Sequence, residues 1–341
     1  VSAEPALPRR LLPVLGVAAL AAVPLLGLGN YHLHLVINIL IWGFIYTAWS
    51  IMGRFGMVSL GHGAFLGVGA YVTTMLWNTL GLTPWLGIPI ALALAVLMAV
   101  VIGYPCFRFR IVGHYFALVT LALGEVVRLT IVALRDQTGG SLGMTVEGVA
   151  GGTSLAALQF GERGTFFYLA LAVWLLGLWV WRLVDRSMLR YALEAASEDE
   201  DASASIGVNV TRAKLAITML SAAMTALGGA LYAQYQLYIN PETVSGIGIS
   251  LQIVFAVIAG GLYVQLGPTV GAVITLLLAE TLRVAVGHDV HGLDGTIYGL
   301  LLILFIIYMP SGISGFVLAA WRRGSAGSGT QAPTGRGVPA R

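Results

Sequence analysis

The chain has 341 residues, 58% of them hydrophobic and only 10% charged, with a net charge of +3. A soluble domain carries about 25% charged residues, so a water-soluble fold of this size is excluded for want of polar surface. The basic residues are scattered over loops rather than gathered in a patch, which excludes nucleic-acid binding, and the lone Cys106 excludes a disulfide framework and a thiolate metal cluster.

Long apolar runs satisfy their own backbone in a membrane as helices. The expected class is therefore an all-α, polytopic integral membrane protein with about 8–10 transmembrane helices. Ten stretches qualify: 11–28, 33–52, 57–80, 85–104, 115–134, 166–184, 214–236, 247–264, 267–286 and 296–318. Each can cross a core of about 30 Å at about 1.5 Å per residue. The first resembles a signal peptide, but its length and the lack of a small-x-small cleavage site favour a retained helix. Only Val264 to Pro268 separates the eighth from the ninth, so these two form either a tight hairpin or a re-entrant pair.

In chain order, the first informative stretch is Gly53 to Leu76. Gly56, Gly61, Gly63, Gly67 and Gly69 recur within it, and Gly63-x-x-x-Gly67 has the spacing that lets helices approach closely. Glycine also lets a helix break and turn backbone groups toward a wet path; packing is the favoured role. Ser59 and His62 lie on one side of that weak region, three residues apart, and His62 reads at least as well as a histidine hydrogen-bonded between helices as it does as a ligand contact. The fifth span carries Glu125 and Arg128 at i and i+3. Ionisable groups in hydrocarbon are costly unless paired or wet. Because this pair neutralises itself, a structural ion pair is preferred over a substrate contact. Glu280 and Arg283 repeat the spacing in the ninth span, a hint of an internal repeat.

Between Arg182 and Lys214 the chain stays polar. Leu193 to Gly207 lacks proline, is rich in helix formers and ends on a glycine stop, which predicts a short helical elbow outside the membrane. Its cluster Glu198-Asp199-Glu200-Asp201 falls near the middle of the segment, where a helix dipole has no strong preference for it. The cluster suits a basic groove on a partner, or simply keeps a surface loop in water. Residues 1–10 are expected to be a cytoplasmic N-terminus. Residues 11–318 are the transmembrane domain, with a cytoplasmic loop at 185–213, and the Gly/Ser/Pro-rich tail 319–341 is expected to be disordered.

With the N-terminus inside, 14 of the 18 basic residues fall in inside segments. That asymmetry places both termini and the elbow in the cytoplasm. No Gly-rich phosphate loop ends in Lys-Ser/Thr, so the chain is not itself an ATPase. No catalytic constellation is present either, which argues against an enzyme. His288, Asp289, His291 and Asp294 share an outside loop but read as a wet turn, so no metal ligands are assigned.

Across residues 35 to 318 the chain resembles the LivM-type permeases, transmembrane subunits of ATP-driven (ABC) importers for branched-chain amino acids and related solutes. The marks are Gly56-x-x-Ser59-Leu60-Gly61-His62-x-Ala64-Phe65-x-Gly67-x-Gly69-Ala70-Tyr71 and Tyr115-Phe116-Ala117-Leu118-Val119-Thr120-Leu121-Ala122 leading to Glu125 and Arg128. Then come Thr138-Gly139-Gly140-Ser141 with Gly143, Glu198-Asp199-Glu200 through Gly207-Val208-Asn209 to Lys214, Gly228-Gly229-Ala230-Leu231-Tyr232-Ala233, Pro241-Glu242, and Gly260-Gly261-Leu262 with Gly267-Pro268 and Gly271.

The resemblance implies the ABC importer permease fold in a multi-pass protein of the cell (plasma or inner) membrane, surrounded by lipid. It implies a homologous LivH-type permease in a heterodimer, ATP-binding subunits below, and an extracytoplasmic solute-binding protein. Glu198, Asp199, Glu200, Ala202 and Gly207 become ATPase-coupling residues. No cofactor is bound by this chain, ATP and Mg being used by the partner ATPase. Ser59, Gly61, His62, Tyr115 and Thr120 are candidates for the translocation path. Ser197, Gly63 and Tyr263-Val264-Gln265 depart from the family pattern, the first at the ATPase-docking elbow. A urea or short-amide importer of the same family stays open, as does a self-contained secondary transporter or channel, although paired intramembrane acids count against ion coupling.

Overall fold

A computed structural model describes residues 15–27, 29–149 and 153–286, with the isolated positions 297, 299, 300, 304, 312 and 313. The expected tenth span, the His288–Asp294 cluster and both terminal segments lie essentially outside the described residues. The long helices, in chain order, are α1 (Asn30–Gly53), α2 (His62–Leu80), α3 (Pro84–Arg108), α4 (His114–Ala133) and α5 (Arg163–Asp185). They continue with the short α6 (Met188–Glu198) and α7 (Glu200–Ser205), then α8 (Val210–Gln236), α9 (Ile247–Gly260) and α10 (Gly267–Val286). Among the described residues, seven helical segments are long and apolar enough to cross a membrane: α1, α3, α4, α5, α8, Pro241–Gly260 and α10. The protein is thus a polytopic all-α membrane protein.

Burial sorts these helices into two layers. A helix apolar on every side belongs inside a bundle, and 83% of the most apolar stretch of α1 is buried, against 28% for α3 and for α10. Ile37, Phe44, Ile45, Tyr46, Trp49 and Met52 of α1 are all at most 1% exposed. α2 and α8 join α1 in this inner layer. α3 shows how an outer helix attaches: Gly87, Ala91, Ala95, Ala99 and Gly103, four apart, are buried, while Leu86, Ile90, Leu94, Leu97 and Val101 point outward. Small residues on one stripe let backbones approach, and the opposite stripe suits lipid.

Three expectations about the elements are corrected. The helical residues 15–21 give way to a 3-10 turn at Val23–Leu26, which contains Pro24, so the first span does not run unbroken to 28. The span expected at 57–80 becomes helical only at His62. Gly56 adopts φ +79°, and the N–H groups of Leu60 and Gly61 go to the side chains of Thr120 and Ser59 instead of to helical carbonyls. The eighth span ends at Gly260 rather than 264, because Gly261 takes φ +120° and turns the chain toward α10. The Gly267–Val286 helix then packs back against α9, which makes the pair a hairpin. One short ribbon joins two of the connecting segments, Met144–Thr145 pairing antiparallel with Tyr238–Ile239.

The two ends of the bundle are sorted as a spanning chain requires. Arg54 meets Asp185, Arg110 meets Asp201 and Arg182 meets Gln265 at one end. At the other, the Trp77 indole donates to the Glu147 carbonyl and the Arg163 guanidinium to the carbonyl of Asn30.

Candidate functional site

Glycine allows α2 to enter the bundle as it does. A methyl group on Gly61 would overlap the backbone of Thr120, one on Gly69 the carbonyl of Ala226, and one on Gly229 of α8 the carbonyl of Leu66. Gly63 and Gly67, the x-x-x pair of the sequence, both face the break between the Pro241–Val244 turn and α9. A methyl on Gly67 would lie 2.7 Å from Cβ of Ser245, and one on Gly63 would lie 2.9 Å from Oγ of Ser250. Two interrupted helices therefore meet at one level.

At that level sits a closed polar knot. Ser221 Oγ donates to the Ala48 carbonyl at 2.6 Å, so toward His62 it can only accept, and Nε2 of the ring donates to it at 2.8 Å. In the neutral tautomer that carries its proton on Nε2, Nδ1 accepts a hydrogen bond from the Ser59 hydroxyl at 3.1 Å. Ser59 Oγ in turn accepts the Gly61 N–H, and the Trp49 indole donates to the Ser59 carbonyl. The Leu60 N–H donates to Thr120 Oγ1 and the Gly63 N–H to Ser250 Oγ, both at 3.0 Å. Ser59, His62, Thr120 and Ser221 are all at most 5% exposed. This bonding engages both ring nitrogens inside the protein. The backbone groups released by the broken helix are met the same way, as burial demands.

The structure thus brings Ser59, Gly61, His62 and Thr120 together. Tyr115 stands apart, 75% exposed on the outer face of α4. Ser221, Ser250 and Trp49 belong to the knot and escaped sequence reasoning, since a serine in an apolar helix carries no mark of what it faces.

Of the two i, i+3 pairs, Glu280 binds Arg283 at 2.7 Å and also accepts the Tyr31 hydroxyl. Arg128 Nε donates to Glu125 at 3.0 Å, while its Nη1 donates to Glu242 at 2.7 Å. The expected Glu125–Arg128 ion pair is present, and Glu242 joins it as a second carboxylate on the same guanidinium.

The elbow is two helices, not one. α6 turns the buried Leu193 into a cluster that holds Met52, Phe55 and Trp181, and Ala196 is buried as well. It ends at Asp199, whose extended backbone starts α7 and whose carboxylate accepts the Asp201 and Ala202 N–H groups, each at 2.9 Å. Asp199, Glu200 and Asp201 therefore stand at a helix N-terminus, where the dipole favours them, while Glu198 closes α6. This corrects the mid-segment reading. Gly207, at φ +92°, closes the elbow.

Glu200 pairs with Lys214, whose side chain is 8% exposed, so it acts as an internal tether. Glu198, Asp199, Ala202 and Gly207 remain exposed. Clefts of about 360 and 590 Å³ flank the elbow, both lined by Phe55, Ser197 and Glu198. Arg54 lines the larger cleft beneath Trp181, 4.1 Å from its ring. Burial pushes its guanidinium below the usual range, and Asp185 opposes that shift.

Residues 31–308 match the family model for the permease component of branched-chain amino acid transport systems. The chain is 31% identical to the high-affinity branched-chain amino acid transport system permease protein LivM of Escherichia coli, over 77% of this chain and 65% of that protein, and the same figures hold for LivM of Salmonella typhimurium. The match thus spans about two thirds of the length of these curated relatives. LivH of Escherichia coli is 24% identical over 78% of this chain and 88% of its own. No solved structure matches.

Proposed function

The chain belongs to the family of permease components of branched-chain amino acid transport systems, and from that premise we propose that it forms half of the translocation path of an ATP-driven importer. Branched-chain amino acids are the solute class, with urea and short amides as the alternative within the family. The carrying observation is the elbow. It is tethered by buried Leu193, Ala196 and Lys214, yet it presents Glu198, Ala202 and Ile206 outward, Ile206 being 78% exposed. A part rigidly joined to the inner helices and open on its far side can pass motion between an attached motor and the path.

In this reading nucleotide-binding subunits dock on the cytoplasmic elbow, with Glu198, Asp199, Ala202 and Gly207 at the contact. A LivH-type permease pairs with this chain in the membrane, and a solute-binding protein delivers cargo from outside. Both termini lie in the cytoplasm. ATP and Mg act on the partner ATPase. The path alternates its opening between the two sides as the motor closes and relaxes. The knot at Ser59, Gly61, His62 and Thr120 lies where the two broken helices meet, and there small relative movements would open backbone polar groups to solute. Tyr115 is not assigned to it.

Purification through an affinity tag on this chain, after expression with its neighbouring transport subunits, is the test. Co-purification of nucleotide-binding subunits with solute-stimulated ATP hydrolysis is expected. Recovery of a chain that moves solute on its own would replace the proposal with a self-contained carrier.

A further inference from the structure

The outward face of α4 is apolar at Leu118, Val126 and Leu129, which are 60%, 60% and 52% exposed. In the middle of that stripe stands Glu125, side chain 32% exposed, with Arg128 at 23% beside it. α4 qualifies as a membrane span, and at about 1.5 Å per residue these two lie roughly 16–21 Å from its His114 end. They are therefore within the depth of the hydrocarbon. Glu242 approaches Arg128 from the Pro241–Val244 turn and is itself 71% exposed.

Charges a quarter to a third exposed at that depth are costly against lipid, and such groups almost always face protein or water. The contrast with α3 is direct, since its outward stripe of Leu86, Ile90, Leu94, Leu97 and Val101 carries no charge. Two carboxylates on one guanidinium also leave the trio one negative charge in excess. Whatever covers it must bring donors or a cation to the same level.

We propose that this face of α4, with Glu242 at its edge, is where a second permease subunit closes on the chain, presenting hydrogen-bond donors or a cation to the Glu125–Arg128–Glu242 trio. The assignment rests on the permease reading above and adds the face to it. α3 then faces lipid, and the junction of the broken helices opens toward the seam between the two subunits.

The test is photo-crosslinking in membranes with the whole complex. Benzoylphenylalanine replaces Ala122, Val126 or Leu129 on α4 and, for comparison, Leu94 or Leu97 on α3, all of them exposed positions. After irradiation the complex is recovered through a tag on this chain, and adducts are identified by peptide mass spectrometry. The α4 positions are expected to join a second permease chain several-fold more than the α3 positions do. Equal crosslinking, or lipid adducts alone at α4, with a second permease still co-purifying, would overturn the face assignment and leave the permease reading intact. Absence of any second permease from the recovered complex would overturn the reading and the assignment together.

Discussion

Alanine at Gly69 or at Gly229 is expected to be among the most damaging single changes in the chain. Each added methyl would overlap a backbone carbonyl, that of Ala226 or of Leu66, rather than the end of a flexible side chain. Neither inner helix can yield without moving its neighbour. Overpacking of a core typically costs about 1–3 kcal/mol, sometimes more, and backbone against backbone belongs at the upper end. Gly248→Ala in α9 is the matched control, since nothing lies within 4 Å of its added methyl. There, in the first turn of α9, the better helix propensity of alanine acts weakly in the opposite direction. Thermal unfolding of the detergent-solubilised protein, followed by fluorescence-detected gel filtration, should show a clear loss of stability for the first two variants and none for the third. Wild-type stability in Gly69→Ala would mean that α2 and α8 are not in backbone contact.

The second large effect concerns the elbow, where neighbouring carboxylates have different duties. Glu200→Ala removes the partner of Lys214, a buried cation. Leaving such a charge unpaired costs about 3–5 kcal/mol, whereas replacing both members of a buried pair with apolar residues is often neutral. Glu200→Ala should therefore loosen α7 from α8, and Glu200→Ala with Lys214→Met should recover most of the loss. Glu198 is exposed at the end of α6, so Glu198→Ala should leave stability unchanged while weakening capture of the nucleotide-binding subunits and slowing transport. Hydrogen exchange across residues 199–214 separates these outcomes. Unchanged protection in Glu200→Ala would show that the tether does not hold the elbow, and undiminished transport in Glu198→Ala would count against docking there.

These two predictions mark how far the sequence could be read. The spans announce themselves through uninterrupted hydrophobicity, and the elbow through its loss, so the layout of the fold was legible. Inner and outer helices were not assigned, because apolarity does not rank them: the outer α3 is more apolar than the inner α1, and only packing separates them. The stripe of Gly87, Ala91, Ala95, Ala99 and Gly103 carried that signal and could have been used.

Breaks were harder to see than spans. Glycine richness at Gly53–Gly69 allowed a break, but its place depended on Gly56 reaching a positive φ and on Ser59 and Thr120 accepting backbone protons. At the elbow, an acidic run amid alanines looked like mid-helix until Asp199 was found capping a second one. Long-range partners had no local signature at all: Glu242 lies 114 residues from Arg128, and Ser221 lies 159 from His62. Apolar sequence around such residues says that a partner is needed and does not say which.

The account turns on this chain being a conduit worked by an external motor through the elbow. Uptake of radiolabelled leucine into proteoliposomes tests that most directly, comparing the complete assembly with this chain alone, with and without enclosed or external ATP. Uptake should require the nucleotide-binding subunits and ATP on the elbow side, and should fall in Glu198→Ala. Uptake by the isolated chain, indifferent to ATP, would contradict the account.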